Sequence, residues 1–258
     1  MVQKIKKRRY VIGNWKMNPQ FPAEAKRIVD EVKKISKKLV RTSVVLLPPA
    51  AFLGQCLGTR GDTIYDVGVQ NIFYEESGSY TGEISADMVK NLGCTYVLAG
   101  HSERRKMGET DVVVAKKLAS ALRAGLTTVV CVGENERDSQ GAYLEPLREQ
   151  IQKSLEGIVR KDLKNLIIAY EPVWAIGAKE AMTSALIYEM TIFIKKVLSD
   201  LFEQEDAVKV PILYGGSVNF RNAAEIISQG QVDGLLVGRE SVNPPGFVEL
   251  LKVVDEIQ

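Results

Sequence analysis

Short, nearly continuous runs of β-branched and aliphatic residues recur along the chain, separated by stretches whose apolar positions fall three or four apart. The apolar runs predict strands over 9–13, 43–47, 64–69, 96–99, 127–132, 166–170, 210–214 and 234–237. Runs that are apolar at successive positions suit strands covered on both faces, as in a parallel sheet. Between the first two, Ile28, Val32, Ile35 and Leu39 lie at helical spacing among lysines and acids, which predicts a helix over 23–39. The stretch 110–124 has the same character, with Gly125 as its C-terminal cap. Further helices are expected over 141–159, 184–201, 221–228 and 247–257. Eight strands alternating with helices in 258 residues is the arithmetic of one closed α/β barrel, (β/α)8, over the whole chain, with residues 1–8 as a basic tail. An open doubly wound sheet shares the alternation, but neither GxGxxG nor a P-loop can be written. No Pro-, Gly- or Ser-rich linker marks a boundary, and one polar, glycine-containing loop, 70–82, is longer than its neighbours.

Composition narrows the classes. At 45% hydrophobic and 26% charged the chain is ordinary for a water-exposed globular protein, and its length supports a core without disulfide or metal staples. Cys56, Cys94 and Cys131 are far apart and make no CxxC pair, which fits a reducing cytoplasm. With His101 the sole histidine, neither a three-histidine zinc site nor an HExxH helix is available, so no metal is expected. No apolar run reaches the roughly 18 residues of a membrane helix, so no membrane partner is expected. The net charge of +2 depends on Lys4, Lys6, Lys7, Arg8 and Arg9; without these five the balance turns acidic. A basic run of this kind suits a solvated tail, or contact with an anionic surface. No aromatic residue is interleaved to stack on bases, so no nucleic-acid partner is expected.

In a (β/α)8 barrel chemistry sits at the C-terminal ends of the strands, and phosphate often in the loops after strands seven and eight. Asn14-Trp15-Lys16 follows the first run, Gly100-His101-Ser102-Glu103 the fourth, and Glu171-Pro172 the sixth. Tyr214 ends the seventh, before Gly215-Gly216-Ser217, and Gly238-Arg239 follows the eighth. Small residues let backbone N–H groups approach an anion closely. Singly these are weak signals, since a lysine usually sits at a surface and a Gly-Gly pair usually makes a turn. Jointly they place ionisable groups and a phosphate cup on one face.

At these same segments the chain resembles the triosephosphate isomerase family. The resemblance is carried by Gly13-Asn14-Trp15-Lys16-Met17-Asn18, Tyr80-Thr81-Gly82-Glu83-Ile84-Ser85, Gly100-His101-Ser102-Glu103-Arg104-Arg105, Cys131-Val132-Gly133-Glu134, Tyr170-Glu171-Pro172-Val173-Trp174-Ala175-Ile176-Gly177, Leu213-Tyr214-Gly215-Gly216-Ser217-Val218 and Val237-Gly238, in family order. It implies a TIM barrel that interconverts dihydroxyacetone phosphate and D-glyceraldehyde 3-phosphate through an enediolate, in glycolysis and gluconeogenesis, with no cofactor. It implies Glu171 as general base, His101 as a neutral electrophile at the start of a Ser102–Lys106 helical segment, and Lys16 as stabiliser of the anionic intermediate and the phosphate. Asn14 then supports the substrate, Gly177, Ser217 and Gly238 donate to the phosphate, and Glu103 lies beside Lys16. The stretch from Pro172 to Gly177 resembles the family's lid, with Trp174 meeting Glu134 when the lid is open. The loop from Gln70, through Thr81 and Glu83, resembles one that inserts into a second copy, which implies a homodimer.

Two places depart from the family pattern. The lid continues Ala178-Lys179-Glu180-Ala181-Met182 where the family has Thr-Gly-Lys-Thr-Ala, so a hydroxyl and a flexible glycine are missing at the second hinge and slower closure is expected. Arg239 stands where the family usually has a second glycine; its guanidinium either faces solvent or strengthens anion attraction. Two other readings compete: a related barrel isomerase of a larger sugar phosphate, and a non-catalytic binding protein on an inherited barrel.

Overall fold

The computed structural model describes residues 8–58, 64–175 and 182–257. The basic run up to Lys7 and lid residues 176–181, Gly177 among them, lie outside the described residues. Eight strands are present: β1 (Arg9–Asn14), β2 (Thr42–Leu47), β3 (Asp66–Val69), β4 (Tyr96–Ala99), β5 (Thr127–Val132), β6 (Leu166–Tyr170), β7 (Ile212–Tyr214) and β8 (Gly234–Val237). Each pairs in parallel with the next, and β8 pairs with β1 to close the barrel. The helices are α1 (Pro22–Ser36), α2 (Leu53–Leu57), α3 (Ala86–Leu92), α4 (Ser102–Lys106), α5 (Asp111–Arg123), α6 (Leu144–Ser154), α7 (Ser184–Leu201), α8 (Gln204–Ala207), α9 (Ala223–Gly230) and α10 (Pro244–Glu256). Among the described residues, no helix is long and apolar enough to cross a membrane.

Strand alternation divides the buried side chains into two layers. Ile12, Val45, Leu47, Leu98, Val129, Cys131, Ile167, Ala169, Leu213 and Leu236 fill the barrel, with Tyr10 and Tyr96 packed against them. Intervening residues such as Val11, Val44, Val130, Ile168 and Leu235 pack outward against the helices. Both layers are apolar, which is why the strands read as continuous runs. The period of two also positions the site. Carrying the inward series one step further leads from Ile12 to Asn14 at the end of β1, and beyond the strand ends from Ala169 to Glu171, from Leu213 to Gly215 and from Leu236 to Gly238.

The elements differ from expectation mainly at their ends. Strand β3 begins at Asp66 rather than 64, because Ile64 is exposed and the Tyr65 hydroxyl instead donates to the Cys56 carbonyl oxygen at 2.8 Å. Strand β7 begins at Ile212. Helix α6 ends at Ser154, short of 159, and α1 at Ser36, short of 39. Helices α2, α3 and α8 were not anticipated. Helix α3 buries only Ala86 and Val89, yet both its ends are marked: the Ser85 hydroxyl accepts from the Met88 N–H, and Gly93 closes it at φ 106°.

Helix α10 holds the far end of the chain against the α1–β2 turn through one carboxylate. Asp255 accepts the N–H groups of Val40 at 3.0 Å and Arg41 at 2.7 Å. Burial acts to raise this carboxyl, but the donated N–H bonds outweigh it and hold it below its ordinary value. A depressed carboxylate stabilises the fold above the unfolded-state value of about 3.9 and loses that contribution as pH falls through its folded value. Asp255→Ala is therefore expected to cost about 1–3 kcal/mol in urea unfolding at pH 7. The deficit should shrink as the pH is lowered below roughly 4; one that stayed constant down to the acid limit of folding would contradict this account.

Candidate active site

A cavity of about 600 Å³ opens at the C-terminal ends of the strands. Asn14, Lys16, His101, Glu171, Gly215, Gly216, Ser217, Gly238 and Arg239 all line it, joined by Asn18 and Asn219, which the sequence reading had passed over. The residues expected to act together thus converge from β1, β4, β6, β7 and β8.

Glu171 leaves the end of β6 with its N–H bonded to the Val132 carbonyl at 2.8 Å, and only 3% of it is exposed. One carboxylate oxygen lies 3.2 Å from His101 Nε2, and the other accepts the Ser102 N–H at 3.2 Å. Burial works to raise its pKa, but His101, the Ser102 N–H and the Cys131 thiol together hold it below the usual carboxylate value. The Cys131 thiol, beneath it in the barrel, is pushed well up by burial and then by the Glu171 charge, so it stays protonated. His101 precedes α4, and its Nδ1 accepts the Glu103 N–H at 3.2 Å. An accepting Nδ1 leaves the proton on Nε2, which faces Glu171 and the cavity.

Lys16 adopts φ 55°, a left-handed conformation rare outside glycine, and its own N–H bonds to Asn14 Oδ1 at 3.0 Å. The Gln70 amide donates to both the Lys16 carbonyl at 2.8 Å and the Leu47 carbonyl at 2.9 Å, so this residue braces the strained turn as well as opening the long loop. Lys16 Nζ meets Glu103 Oε1 at 2.6 Å, the neighbour expected of it.

The backbone around these groups is packed too tightly for side chains at two glycines. A Cβ on Gly133 would come within 1.9 Å of the Glu171 carbonyl oxygen, and one on Gly216 within 2.2 Å of the Tyr214 hydroxyl. That hydroxyl accepts the Met182 N–H at 3.2 Å, tying the far end of the lid to the Gly215-Gly216 loop. Burial pushes the Tyr214 phenol up to about 12, so it remains a neutral acceptor. At the near end of the lid, Glu134 Oε1 accepts from Trp174 Nε1 at 2.9 Å and from the Tyr170 hydroxyl at 2.8 Å. This is the Trp174–Glu134 contact expected of an open lid.

A supporting ring of buried polar residues was not anticipated. Glu109 Oε1 accepts the Gly100 N–H at 3.1 Å, and its other oxygen meets Arg104 Nε at 2.9 Å and Lys117 Nζ. Lys117 Nζ reaches on to Asn71 Oδ1 at 2.6 Å, in the long loop. Arg105 donates to the Gly100 carbonyl at 2.7 Å and to Asp111 at 2.5 Å, and Gln150 accepts the Gly133 N–H at 2.8 Å. These groups fix the turn that carries His101. The long loop itself is exposed from Glu75 to Glu83, Thr81 included, with Phe73 packed on Tyr74 and Tyr80 at its base.

Fold and site together define a (β/α)8-barrel protein with a carboxylate, an imidazole and a lysine gathered at the mouth of the barrel beside glycine-rich loops. A family model described as triosephosphate isomerase matches residues 9–254, and the chain belongs to that family. Triosephosphate isomerase from Dictyoglomus thermophilum is 39% identical over 248 residues, covering 95% of this chain and 99% of that protein. That from Rhodopirellula baltica is 40% identical over 253 residues, covering 96% and 98%. The crystal structure of triosephosphate isomerase from Bartonella henselae is 36% identical, with a TM-score of 0.82 over 95% of this chain and 98% of that one.

Proposed function

We propose that this chain interconverts dihydroxyacetone phosphate and D-glyceraldehyde 3-phosphate by moving a proton between adjacent carbons, with Glu171, His101 and Lys16 as its working groups. The observation that carries the assignment of roles is the 3.2 Å approach of Glu171 to His101 Nε2, at the mouth of a cavity that Lys16 also lines. A proton on carbon beside a carbonyl is weakly acidic, so its removal needs a base together with donors aimed at the oxygens where charge develops. The Glu171 carboxylate, held ionised at neutral pH, takes that proton. The carbonyl oxygen then becomes an enediolate oxygen, stabilised by the Nε2–H of His101 and the Lys16 ammonium. Glu171 returns the proton to the neighbouring carbon, while the imidazole serves each oxygen in turn.

Asn14 positions the substrate through Lys16, whose backbone it holds. Gly177, Ser217 and Gly238 receive the phosphate, and Tyr214 supports the loop that carries Ser217. The lid excludes water, in which the enediolate would lose phosphate. The three cysteines are buried free thiols, in keeping with a reducing cytoplasm as the site of action.

The active form is a homodimer. Met17, next to Lys16, is 83% exposed, and Tyr80 and Met88 are about half exposed around the projecting loop; a second copy would cover all three. The whole chain acts as one barrel domain, with residues 1–8 as a basic tail.

In a coupled assay of the purified protein, Glu171→Gln should reduce kcat by about 10²–10⁴-fold, with a much smaller change in KM. Unchanged turnover in that variant would remove Glu171 as the base. Sedimentation at twice the chain mass is expected, and Tyr80→Asp should shift the protein toward monomer; a monomeric wild type with full activity would overturn the dimer.

A further inference from the structure

Arg239 stands at the rim of the cavity, the first residue of the short turn that follows β8. Its side chain is exposed and makes no hydrogen bond or ion pair with another described residue. The other charged groups around the cavity are engaged. Lys16 is tied to Glu103 at 2.6 Å, and Glu171 to His101 and the Ser102 N–H. Glu240, next in sequence to Arg239, accepts from Asn243 Nδ2 at 3.1 Å and lies over Gly246, where a Cβ would come within 1.5 Å of its oxygen. It is therefore committed to the start of α10 and does not neutralise Arg239.

The charge balance gives that free guanidinium a task. Among the described residues, two cations, Lys16 and Arg239, stand against three carboxylates, Glu103, Glu171 and Glu240, at or beside a cavity that has to admit a phosphate dianion. Lys16 is half of an ion pair, so without Arg239 the approach to the cavity is dominated by negative charge. Arg239 also follows Gly238 in the chain, where a Cβ would lie 3.4 Å from Lys16 Cε, so the lysine side chain runs beside the backbone that leads into Arg239. A guanidinium presents planar donors that match two phosphate oxygens at once, and an exposed one acts over about 8 Å at physiological ionic strength.

We propose that Arg239 is a specificity-determining residue that captures the phosphate of incoming substrate at the cavity rim, a task that the glycine usual at this position in the family cannot perform with a side chain. The inference rests on the sugar-phosphate reading of the cavity. Capture by a rim cation strengthens binding of phosphate-bearing ligands, leaves the proton transfer itself untouched, and weakens with added salt.

The test uses the full-length wild type with Arg239→Gln and Arg239→Lys, first by calorimetric titration with inorganic phosphate. Arg239→Gln should raise the Kd for phosphate about three- to tenfold and flatten its salt dependence, with Arg239→Lys recovering part of the loss. In the isomerase assay the KM for D-glyceraldehyde 3-phosphate should rise by the same factor while kcat moves less than about twofold. Any turnover measured with unphosphorylated D-glyceraldehyde should be the same in wild type and Arg239→Gln. Equal Kd and KM in wild type and Arg239→Gln would overturn the proposal, as would an equal loss with the unphosphorylated substrate. Phosphate titration needs no turnover, so a wild type that bound phosphate through Arg239 without isomerising triose phosphates would refute the catalytic reading and leave the capture proposal standing.

Discussion

A carboxylate removed from water must be satisfied by donors or give up its charge. The placement of Glu171 against His101, over the Ser102 N–H and the Cys131 thiol, meets that requirement, and much of the surrounding structure serves it. The close approach that excludes a side chain at Gly133 sets β5 against the start of the lid. The Glu109, Arg104 and Arg105 contacts hold the turn from which His101 and Ser102 reach across to β6. The carboxylate is thus anchored from two neighbouring strands before any ligand arrives, and the barrel lends its rigidity to a group that must keep its charge while buried. Arrangements of this kind contribute to catalysis because their ordering is completed during folding rather than at the moment of reaction.

Much of this was readable from the residues. The strands were legible because the barrel interior and the helix layer are both apolar, so that successive side chains from Thr128 to Val132 in β5 and throughout β6 are buried. Glu171, His101 and Lys16 stood out because polar residues directly after such runs fall on one face of a barrel. What escaped notice has a common cause. Glu109, Lys117 and Gln150 read as ordinary surface residues, since charged and amide side chains usually are; only the fold shows all three paired, with the side chains of Glu109 and Lys117 buried and Gln150 partly so. The bracing of Lys16 by Gln70 spans 54 positions of sequence and leaves no local signal. Helix α3 was missed because its outward Met88 and Leu92 blur the apolar period, although Ser85 and Gly93 mark its ends in the sequence.

At the described ends of the lid segment, where Ala175 and Met182 are buried, hydroxyls and carboxylates tie it to the residues around the cavity. Tyr214 holds Met182 while its own position forbids a side chain on Gly216, and Glu134 holds both Tyr170 and Trp174. Each described end of that segment is therefore held by hydrogen bonds beside the cavity. Arg239 lies outside this frame, exposed at the cavity rim and without a partner among the described residues.

The central claim is that one carboxylate carries a proton between two carbons through an enediolate. The most direct test is to run the isomerisation in deuterium oxide and locate the label by NMR. A carboxylate base that exchanges with solvent before returning its proton predicts one deuterium on the carbon to which the proton is delivered, none at the other positions, and no labelling by Glu171→Gln. Full turnover by Glu171→Gln, with deuterium delivered as in the wild type, would mean that another group moves the proton and would contradict the account.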